Sequence, residues 1–348
     1  MTVVGAGEQQ APYVDALLRE LASARGSIAS DLRTVYLGGG TPTFTGAQAL
    51  ERLLTALPEA REVTVEANPE TVTSGLAGLL ARAGVTRISL GAQTFAPRLL
   101  RVLDRVAGPD DVRRAVHTLR DAGFDNISLD LIYGIPGQSP SDLQADLSEA
   151  LALEPEHVSA YELEAKEGTR FAHRHGTELG RQAEAMEGYF ELVVDALTSS
   201  GYRWYETANF CLEPRRVGGR DLRARHNLAY WQGRDYLGLG VGAVSTIQGR
   251  RWRNEPSLGR YVKALEAGEE PPRTVELLSA EVRATERVML GLRLDEPLAL
   301  AGLGHVIDVE EAERLERLGL AELGGETVAL TRRGRFLGGG VTARLLAD

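Results

Sequence analysis

The segment ISLDLIYGIPGQSPSDLQADLSEALAL, residues 127–153, contains one complete repeat of the fold. Its apolar run over Ile127–Ile132 predicts a buried strand, and glycine and proline residues then mark a turn. Leucines and alanines three or four positions apart predict a helix over Ser141–Leu153. A strand followed by a helix in this way is the unit from which α/β folds are built.

The same strand–turn–helix order recurs throughout the first half of the chain. The other predicted strands are Thr34–Leu37, Val63–Ala67, Arg87–Leu90 and Val158–Leu163. The other predicted helices are Ala11–Arg25, Ala47–Ala56, Gly75–Ala83 and Asp110–Ala122. Such alternation predicts parallel strands joined by crossover helices, and therefore an α/β barrel or open sheet. The helix before the first strand suggests that one more strand once preceded it.

The second half of the chain has a different pattern. We predict a long amphipathic helix over Glu184–Ser200 and an aromatic-rich strand over Tyr202–Phe210. The glycine-rich stretch Gly233–Gly249 predicts tight turns with short strands. Near the C-terminus, a predicted helix over Val309–Leu318 precedes LAELGGETVALT, in which Gly324-Gly325 suits a two-residue hairpin turn.

The last features predict a small winged-helix-like C-terminal domain. The expected division of the chain is 1–172 for an α/β partial barrel, 173–276 for a helical and β connecting region, and 277–348 for the C-terminal domain.

Composition and charge limit the possible function classes. The chain has 348 residues and a formal net charge of −10, and its basic residues are dispersed, so a nucleic-acid partner is not expected. No apolar stretch approaches the roughly 20 residues of a membrane span. The N-terminus MTVVGAGEQQ lacks the pattern of a signal peptide. We therefore expect a cytoplasmic protein without stable membrane insertion.

Several motifs follow predicted strands, at the edge where an α/β barrel has its active face. GGGTP at Gly38–Pro42 contains three glycines that let backbone groups approach a ligand, although a plain turn explains them equally well. Glu66 ends a strand just before Asn68-Pro69, where an acidic side chain is either solvated or binds a hydroxyl or an amine. Gln93 follows the next strand, and its amide can both donate and accept hydrogen bonds.

Other candidate residues lie in less obvious positions. Asp130 lies within an otherwise apolar strand, where a buried carboxylate is costly unless it is paired or hydrogen-bonded. Arg105, in RVLDRVAGP, is interpreted on these grounds alone as a surface residue at a helix end. His226 begins HNLAYW; an isolated histidine is usually a hydrogen-bonded structural residue, and only a minority of histidines ligate metals. The only cysteine, Cys211, is interpreted as a small semi-buried hydrophobe.

In this order, GGGTP, VEANPE at 65–70, RISLGAQTF at 87–95 and SLDLIYGIPGQ at 128–138 resemble a known family. They are similar to the coproporphyrinogen III oxidase-like branch of the radical S-adenosylmethionine (SAM) proteins. HNLAYW resembles the HNxxYW signature of the HemW heme chaperones within that branch. The resemblance covers nearly the whole chain from about Tyr13, and it implies a partial (β/α) barrel of the radical SAM type.

The resemblance also implies cofactors, a cargo and a partner. It implies SAM, a 4Fe–4S cluster, heme, and an acceptor protein to which heme is passed. The positions that it assigns to SAM are Gly39, Gly40, Thr41, Glu66, Gln93, Arg105 and Asp130. The positions that it assigns to heme are His226, Tyr230 and Trp231.

The chain departs from the family pattern in two places. The CxxxCxxC cluster motif and the first barrel strand would lie directly upstream of residue 1, and one thiol cannot hold a 4Fe–4S cluster. A misplaced start codon is the simpler explanation, and a cluster-free paralogue is the alternative. The second departure is Val244, in GAVS, where many relatives carry GAHS; it removes a possible imidazole.

Three functions therefore remain as hypotheses. The first is a heme chaperone of the HemW type. The second is oxidative decarboxylation of coproporphyrinogen III, which HNLAYW disfavours. The third is a cluster-free module that retains heme or SAM contacts without radical chemistry, and the chain as given is expected to be inactive in that chemistry. No catalytic residue is assigned.

Overall fold

A seven-stranded sheet is the main element of the computed structural model, which describes residues 10–166 and 168–347. Its strands are β1 (Thr34–Leu37), β2 (Glu62–Ala67), β3 (Arg87–Gln93), β4 (Ile127–Tyr133), β5 (His157–Glu162), β6 (Tyr202–Glu206) and β7 (Asn209–Leu212). They follow the order β1-β2-β3-β4-β5-β7-β6. The first five are parallel, and β7 pairs antiparallel with both β5 and β6. The α/β fold predicted from the sequence is confirmed.

Helices alternate with the first five strands and continue after them. They are α1 (Gln10–Ala24), α2 (Ala47–Ala56), α3 (Ser74–Arg82), α4 (Pro97–Val102), α5 (Pro109–Asp121), α6 (Pro140–Ala152), α7 (Arg170–Ala183) and α8 (Met186–Ser199). The start of α6 illustrates how the sequence sets a boundary. The Ser139 and Asp142 side chains each accept a hydrogen bond from the other residue's backbone N–H, and Pro140 occupies the first helical position.

The two faces of this sheet differ. On one face, here called the helix-covered face, Val65, Leu90 and Leu129 pack against α2, α3, α5, α6 and α8. The opposite face, here called the polar face, carries Glu66, Ser89 and Asp130 at neighbouring register positions. In the described residues β1 and β6 are the two edges of the sheet, and the assignment as a partial barrel stays a prediction.

One predicted element in this region is wrong. Tyr202–Phe210 is not a single strand, because the chain turns back between β6 and β7. The buried Glu206 carboxylate accepts hydrogen bonds from the Ala208 backbone N–H at 3.2 Å and the Asn209 side-chain amide at 2.5 Å. These bonds to residues just ahead in the chain stabilise the turn, and a propensity pattern does not reveal them.

A second, smaller sheet follows in the chain. It contains β8 (Val244–Ile247), β9 (Arg250–Asn254) and β10 (Arg273–Leu277), in the antiparallel order β10-β9-β8. The helices of this region are α9 (Arg225–Trp231) and α10 (Leu258–Glu266). The buried Glu20 of α1 connects the parts: its carboxylate accepts from the Tyr261 hydroxyl at 2.6 Å, the Asn254 amide at 2.7 Å and the Gly240 backbone N–H at 2.7 Å.

The C-terminal region has a hydrophobic core of its own. Its elements are α11 (Ala280–Gly291), β11 (Leu298–Ala299), α12 (Val309–Arg317), β12 (Ala321–Leu323), β13 (Thr327–Leu330), α13 (Arg332–Phe336) and α14 (Gly338–Leu345). Val288, Leu315 and Leu345 are fully buried at its centre. The predicted hairpin is present as β12–β13. Its register places Gly324 opposite Thr327, and the Gly324 N–H donates to the Thr327 carbonyl at 2.9 Å, so the two turn residues are 325 and 326, one position later than predicted.

Two further expectations remain predictions, namely the winged-helix assignment and the division at residues 172 and 276. The main sheet draws β6 and β7 from beyond residue 172. The expectation about the N-terminus concerns mostly residues 1–9, which lie outside the described residues. None of the helices in the described ranges is long and apolar enough to cross a membrane.

Candidate functional site

The loop after β1 and the end of β2 form the first part of the site. A Cβ atom at Gly38 would lie 2.6 Å from the Tyr36 ring and 2.8 Å from the Glu66 carboxyl carbon, so a larger residue would displace one of these two side chains. A Cβ at Gly39 or Gly40, by contrast, would meet no atom within 4 Å, and Gly39 has a φ of +84°. The two glycines therefore present exposed backbone beside Glu66.

Glu66 is held by Tyr36, whose hydroxyl donates to its Oε1 at 2.7 Å. Burial raises the pKa of the Glu66 carboxyl, and hydrogen bonds from the Tyr36 hydroxyl and the Gly39 backbone N–H oppose this shift. Burial, with the neighbouring Glu66 charge, also raises the pKa of Tyr36, which remains a neutral donor. Tyr36 was not identified from the sequence, although it lies two residues before GGGTP on the same strand face.

Asn68 connects two more of the predicted residues. Its side-chain amide donates to Thr41 Oγ1 at 3.2 Å, and its Oδ1 accepts from Arg105 Nη1 at 3.2 Å. Arg105 lies in the turn that ends α4, where its backbone N–H donates to the Leu100 carbonyl at 2.9 Å, and it is half-buried rather than fully exposed. Nearby, Glu70 Oε2 is buried and has no hydrogen-bond partner within the described ranges. Asn68 lies in the quoted motif VEANPE, where it was interpreted only as a turn signal.

Gln93 is positioned by an irregularity at the end of β3. Its φ is +64°, and the pairing of β3 with β4 shifts register between Gly91 and Gln93. A Cβ at Gly91 would lie 2.7 Å from Gln93 Nε2 and 3.7 Å from Asn68 Oδ1, so the Gln93 side chain lies over Gly91. A left-handed conformation costs a non-glycine residue about 1–3 kcal/mol, and such strain is concentrated at functional sites.

Asp130 lies on the polar face of β4, opposite Gly91 of β3. Ser89 Oγ donates to both of its carboxylate oxygens, at 3.1 and 2.9 Å. Burial raises the pKa of Asp130 to about 6, and the Ser89 and Ser159 hydroxyls oppose the shift. The cost expected for a carboxylate in an apolar strand is therefore offset by hydroxyl donors from the neighbouring strands.

The structure thus brings all seven residues assigned to SAM to one edge and one face of the sheet. They are Gly39, Gly40, Thr41, Glu66, Gln93, Arg105 and Asp130, and the residues missed from the sequence are Tyr36, Asn68 and Ser89. The missed residues lie within or beside the quoted motifs, and the polar members of a strand recur at every second position. This period of two was the signal that could have identified Tyr36 and Ser89.

The HNLAYW segment forms α9, which packs against β1 at the edge of the sheet. The His226 ring stacks on Tyr36 with 4.9 Å between ring centroids and 19° between planes. Tyr230 meets the His226 ring edge-on, with 5.0 Å between ring centroids, and itself contacts Tyr236 at 4.5 Å. Tyr36 therefore contacts both His226 and Glu66, and it joins the heme candidates to the SAM candidates.

Burial lowers the pKa of His226 to about 4, so its imidazole is neutral at pH 7. Nδ1 lies 3.0 Å from Thr34 Oγ1, and Nε2 has no hydrogen-bond partner in the part of the chain that the structure describes. A neutral imidazole with a free ring nitrogen is the form that ligates metals.

A buried chain of hydrogen bonds connects Asp130 to the beginning of α9. Ser128 Oγ lies 3.4 Å from Asp130 and 2.8 Å from His157 Nδ1, and His157 Nε2 lies 2.7 Å from the Tyr205 hydroxyl. That hydroxyl accepts from the Ala224 backbone N–H at 3.1 Å. The polar face is therefore connected to α9 through its interior as well as through Tyr36.

Trp231 makes contacts different from those of His226 and Tyr230. It packs against the cluster around Tyr205 and Cys211, and Arg293 lies over its ring with the guanidinium carbon 4.3 Å from the centroid. Val244, the residue in place of a family histidine, begins β8 and is 38% exposed. Thr246 of the same strand bridges to Tyr236, which contacts Tyr230.

The residues present do not fit a 4Fe–4S cluster. Cys211 is the only cysteine of the chain, and burial raises its pKa to about 12, which opposes formation of the thiolate. In the described residues, no group of three or more His, Cys, Asp or Glu side chains is arranged to hold a metal ion. The SAM candidates do fit a polar ligand, because open backbone at Gly39 and Gly40 adjoins the Glu66 carboxylate and the orphaned Glu70 oxygen.

Comparison with known proteins identifies the family. The profile of the radical SAM superfamily matches residues 5–150. The heme chaperone HemW of Mycobacterium tuberculosis (strain H37Rv) is 38% identical over 336 residues, which cover 94% of this chain and 84% of that protein. HemW of Bacillus subtilis (strain 168) is 31% identical over 358 residues, covering 97% and 91% of the two chains. The chain belongs to the HemW family.

A further HemW protein, from Lactococcus lactis subsp. lactis (strain IL1403), is 36% identical over 299 residues, covering 84% of this chain and 76% of that protein. Among solved structures, the coproporphyrinogen III oxidase HemN from Escherichia coli, a radical SAM enzyme, superimposes with a TM-score of 0.75. That match covers 97% of this chain and 83% of HemN at 22% identity, and it shows a shared fold.

Proposed function

We propose that this protein is a heme chaperone of the HemW type, which binds heme through His226 and passes it to an acceptor protein. Membership of the HemW family supports this function. The observation that carries it is the state of His226: a neutral, half-buried imidazole between Tyr36 and Tyr230, with Nε2 free of protein partners in the described ranges. Heme iron takes an imidazole nitrogen as an axial ligand, and aromatic side chains pack favourably on a porphyrin plane.

Tyr230 is proposed to pack against heme beside His226. Trp231 contacts Arg293 and a hydrophobic cluster, and it is proposed to stabilise the position of α9 rather than to contact heme. Delivery of heme to a second protein requires neither a membrane span nor a nucleic-acid surface, and the cytoplasm remains the expected compartment.

SAM is the second proposed ligand. Gly39, Gly40 and Thr41 would offer backbone and hydroxyl groups, Glu66 and Asp130 would accept from its amine and hydroxyl groups, and Gln93 and Arg105 would complete the polar wall. SAM supplies a reactive sulfonium when bound. No radical step is assigned to these residues, because the chain has a single, buried thiol.

Decarboxylation of coproporphyrinogen III is the less favoured alternative. The likeness to HemN concerns the fold, and a fold carries different activities in different proteins.

Titration with hemin tests the proposed heme function. We expect His226→Ala to weaken heme binding roughly tenfold or more and to shift the Soret band, because an axial bond is lost. His305→Ala, in the C-terminal region, is the matched control and should leave both unchanged. A Soret band that is unchanged in folded His226→Ala would remove His226 as the ligand, and melting temperatures on the same samples report whether the variants are folded.

A further inference from the structure

Two residues of the sheet form hydrogen bonds with His226, one with its side chain and one with its backbone. Thr34, on the edge strand β1, places its hydroxyl 3.0 Å from His226 Nδ1. Glu62, on β2 beside it, accepts the backbone N–H groups of Arg225 at 3.2 Å and His226 at 3.0 Å, one with each carboxylate oxygen. The ring and the first turn of α9 are thus attached to adjacent strands.

The hydrogen bond between Thr34 and His226 involves only the Nδ1 nitrogen of the imidazole ring. A neutral imidazole carries a single N–H, so a ring that ligates iron through Nε2 carries its proton on Nδ1. Thr34 Oγ1 can accept a hydrogen bond from this Nδ1–H, and no other side-chain hydrogen bond of Thr34 is formed within the described residues. Histidines that ligate metals nearly always donate their second ring N–H to a hydrogen-bond acceptor, which fixes the tautomer and the ring orientation.

The aromatic neighbours restrict the ring further. Tyr36 stacks on one face of His226 at 19°, and Tyr230 meets it edge-on at 83°. A rotation of the ring that broke the bond to Thr34 would also disturb both contacts. The position of Nε2 is therefore determined by β1 and α9 together.

We propose that Thr34 is a positioning residue for heme binding: its hydroxyl accepts a hydrogen bond from the Nδ1–H of His226, which favours the tautomer with Nε2 unprotonated and orients Nε2 for the iron. Glu62 contributes by fixing the first turn of α9. This inference rests on the proposed heme function, since it assigns a role relative to that ligand. It predicts that heme binding depends on a hydroxyl at position 34 and not on the size of the side chain.

Hemin titration of the full chain with Thr34→Val and Thr34→Ser tests this role. Valine keeps the β-branched shape and removes the hydroxyl, and we expect about tenfold weaker heme binding with an altered Soret band and reduction potential. Serine keeps the hydroxyl, and we expect affinity and spectrum close to wild type. Thr34→Ala provides a second hydroxyl-free variant if Thr34→Val does not fold. Thr327→Val, on β13 of the C-terminal region, is the control for a Thr→Val change in a strand away from His226, and like Thr34 it is partly buried.

The outcomes separate this inference from the proposed function. Wild-type affinity and spectrum in Thr34→Val, or an equal loss in Thr34→Ser, would overturn the role of the hydroxyl. An unaltered spectrum in His226→Ala would instead show that the assumed ligand is wrong, whatever the Thr34 variants do. Weakened binding in Thr34→Val and His226→Ala, with recovery in Thr34→Ser, supports both.

Discussion

Strands β2 to β4 send Val65, Leu90 and Leu129 to one face of the sheet and Glu66, Ser89 and Asp130 to the other. On the helix-covered face these side chains belong to one large hydrophobic cluster, and burial from water drives the packing. On the polar face the side chains are joined by hydrogen bonds, to Tyr36, to each other and through His157 to α9. The same strands therefore carry stability on one side and candidate binding groups on the other.

Neighbouring residues of β3 provide the sharpest test of this difference. Leu90 is fully buried on the helix-covered face, and Leu90→Ala should lower the free energy of unfolding by about 2–5 kcal/mol, because it leaves a cavity. Ser89→Ala removes one hydroxyl that donates to Asp130 and should cost only about 1 kcal/mol. Urea denaturation followed by circular dichroism measures both. An equal loss of unfolding free energy in the two variants would contradict the claim that the helix-covered face contributes more to stability than the polar face.

Heme binding should depend more on the polar face than on the helix-covered face. We expect the Leu90→Ala variant, while folded, to bind heme as the wild type does, whereas changes at polar-face residues that hold His226 weaken it.

The apolar strands that form the helix-covered face were easier to predict from the sequence than the contacts of the polar face. All five parallel strands were identified within about three residues of their ends, because an apolar run bounded by glycine or proline reflects local physics. Glu66, Gln93 and Asp130 were also identified, since polar residues at strand ends or inside apolar strands are conspicuous. The single strand over Tyr202–Phe210 was wrong, because the turn depends on bonds from the Glu206 side chain.

Contacts between distant segments could not be predicted. Thr34 and His226 are separated by 192 positions, and nothing in either local pattern indicates that they meet. The same holds for Arg105, which adjoins Asn68 only because the loop after α4 returns to the edge of the sheet. For His226 and Arg105 the resemblance to a family supplied the assignment, and the structure supplied the partners; Thr34 was not identified from the sequence.

Asp130 should make the free energy of unfolding depend on pH. Its folded-state pKa is raised to about 6 from 3.8, so the fold favours the protonated carboxyl, and this contribution to stability is lost as pH rises from about 4 to 6. Asp130→Asn removes the titration and should stabilise the protein above pH 6. One pKa unit corresponds to about 1.4 kcal/mol, and partial solvent access of the side chain reduces the expected gain to about 1–2 kcal/mol.

Urea denaturation of both proteins between pH 4 and 8 measures this effect. The difference in unfolding free energy should grow up to about pH 6 and then remain constant. A difference that is the same at all pH values would show that burial of the charge is not its cause. The variant should also bind SAM less well, as expected where a binding residue costs stability.

The smallest expected change in unfolding free energy is at Thr64, and it tests whether hydrogen bonding stabilises the polar face. Its Oγ1 is buried and has no hydrogen-bond partner in the described ranges, unlike the hydroxyl of Ser89. A buried polar atom without a partner is destabilising, so Thr64→Val should be neutral or stabilise the protein by up to about 1 kcal/mol. The free energy of unfolding would be compared with that of Ser89→Ala, which should change in the opposite direction. If Thr64→Val costs as much as Ser89→Ala, the Thr64 hydroxyl has a partner such as bound water, and the hydrogen-bonded network of the polar face extends further toward β1 than the side-chain contacts indicate.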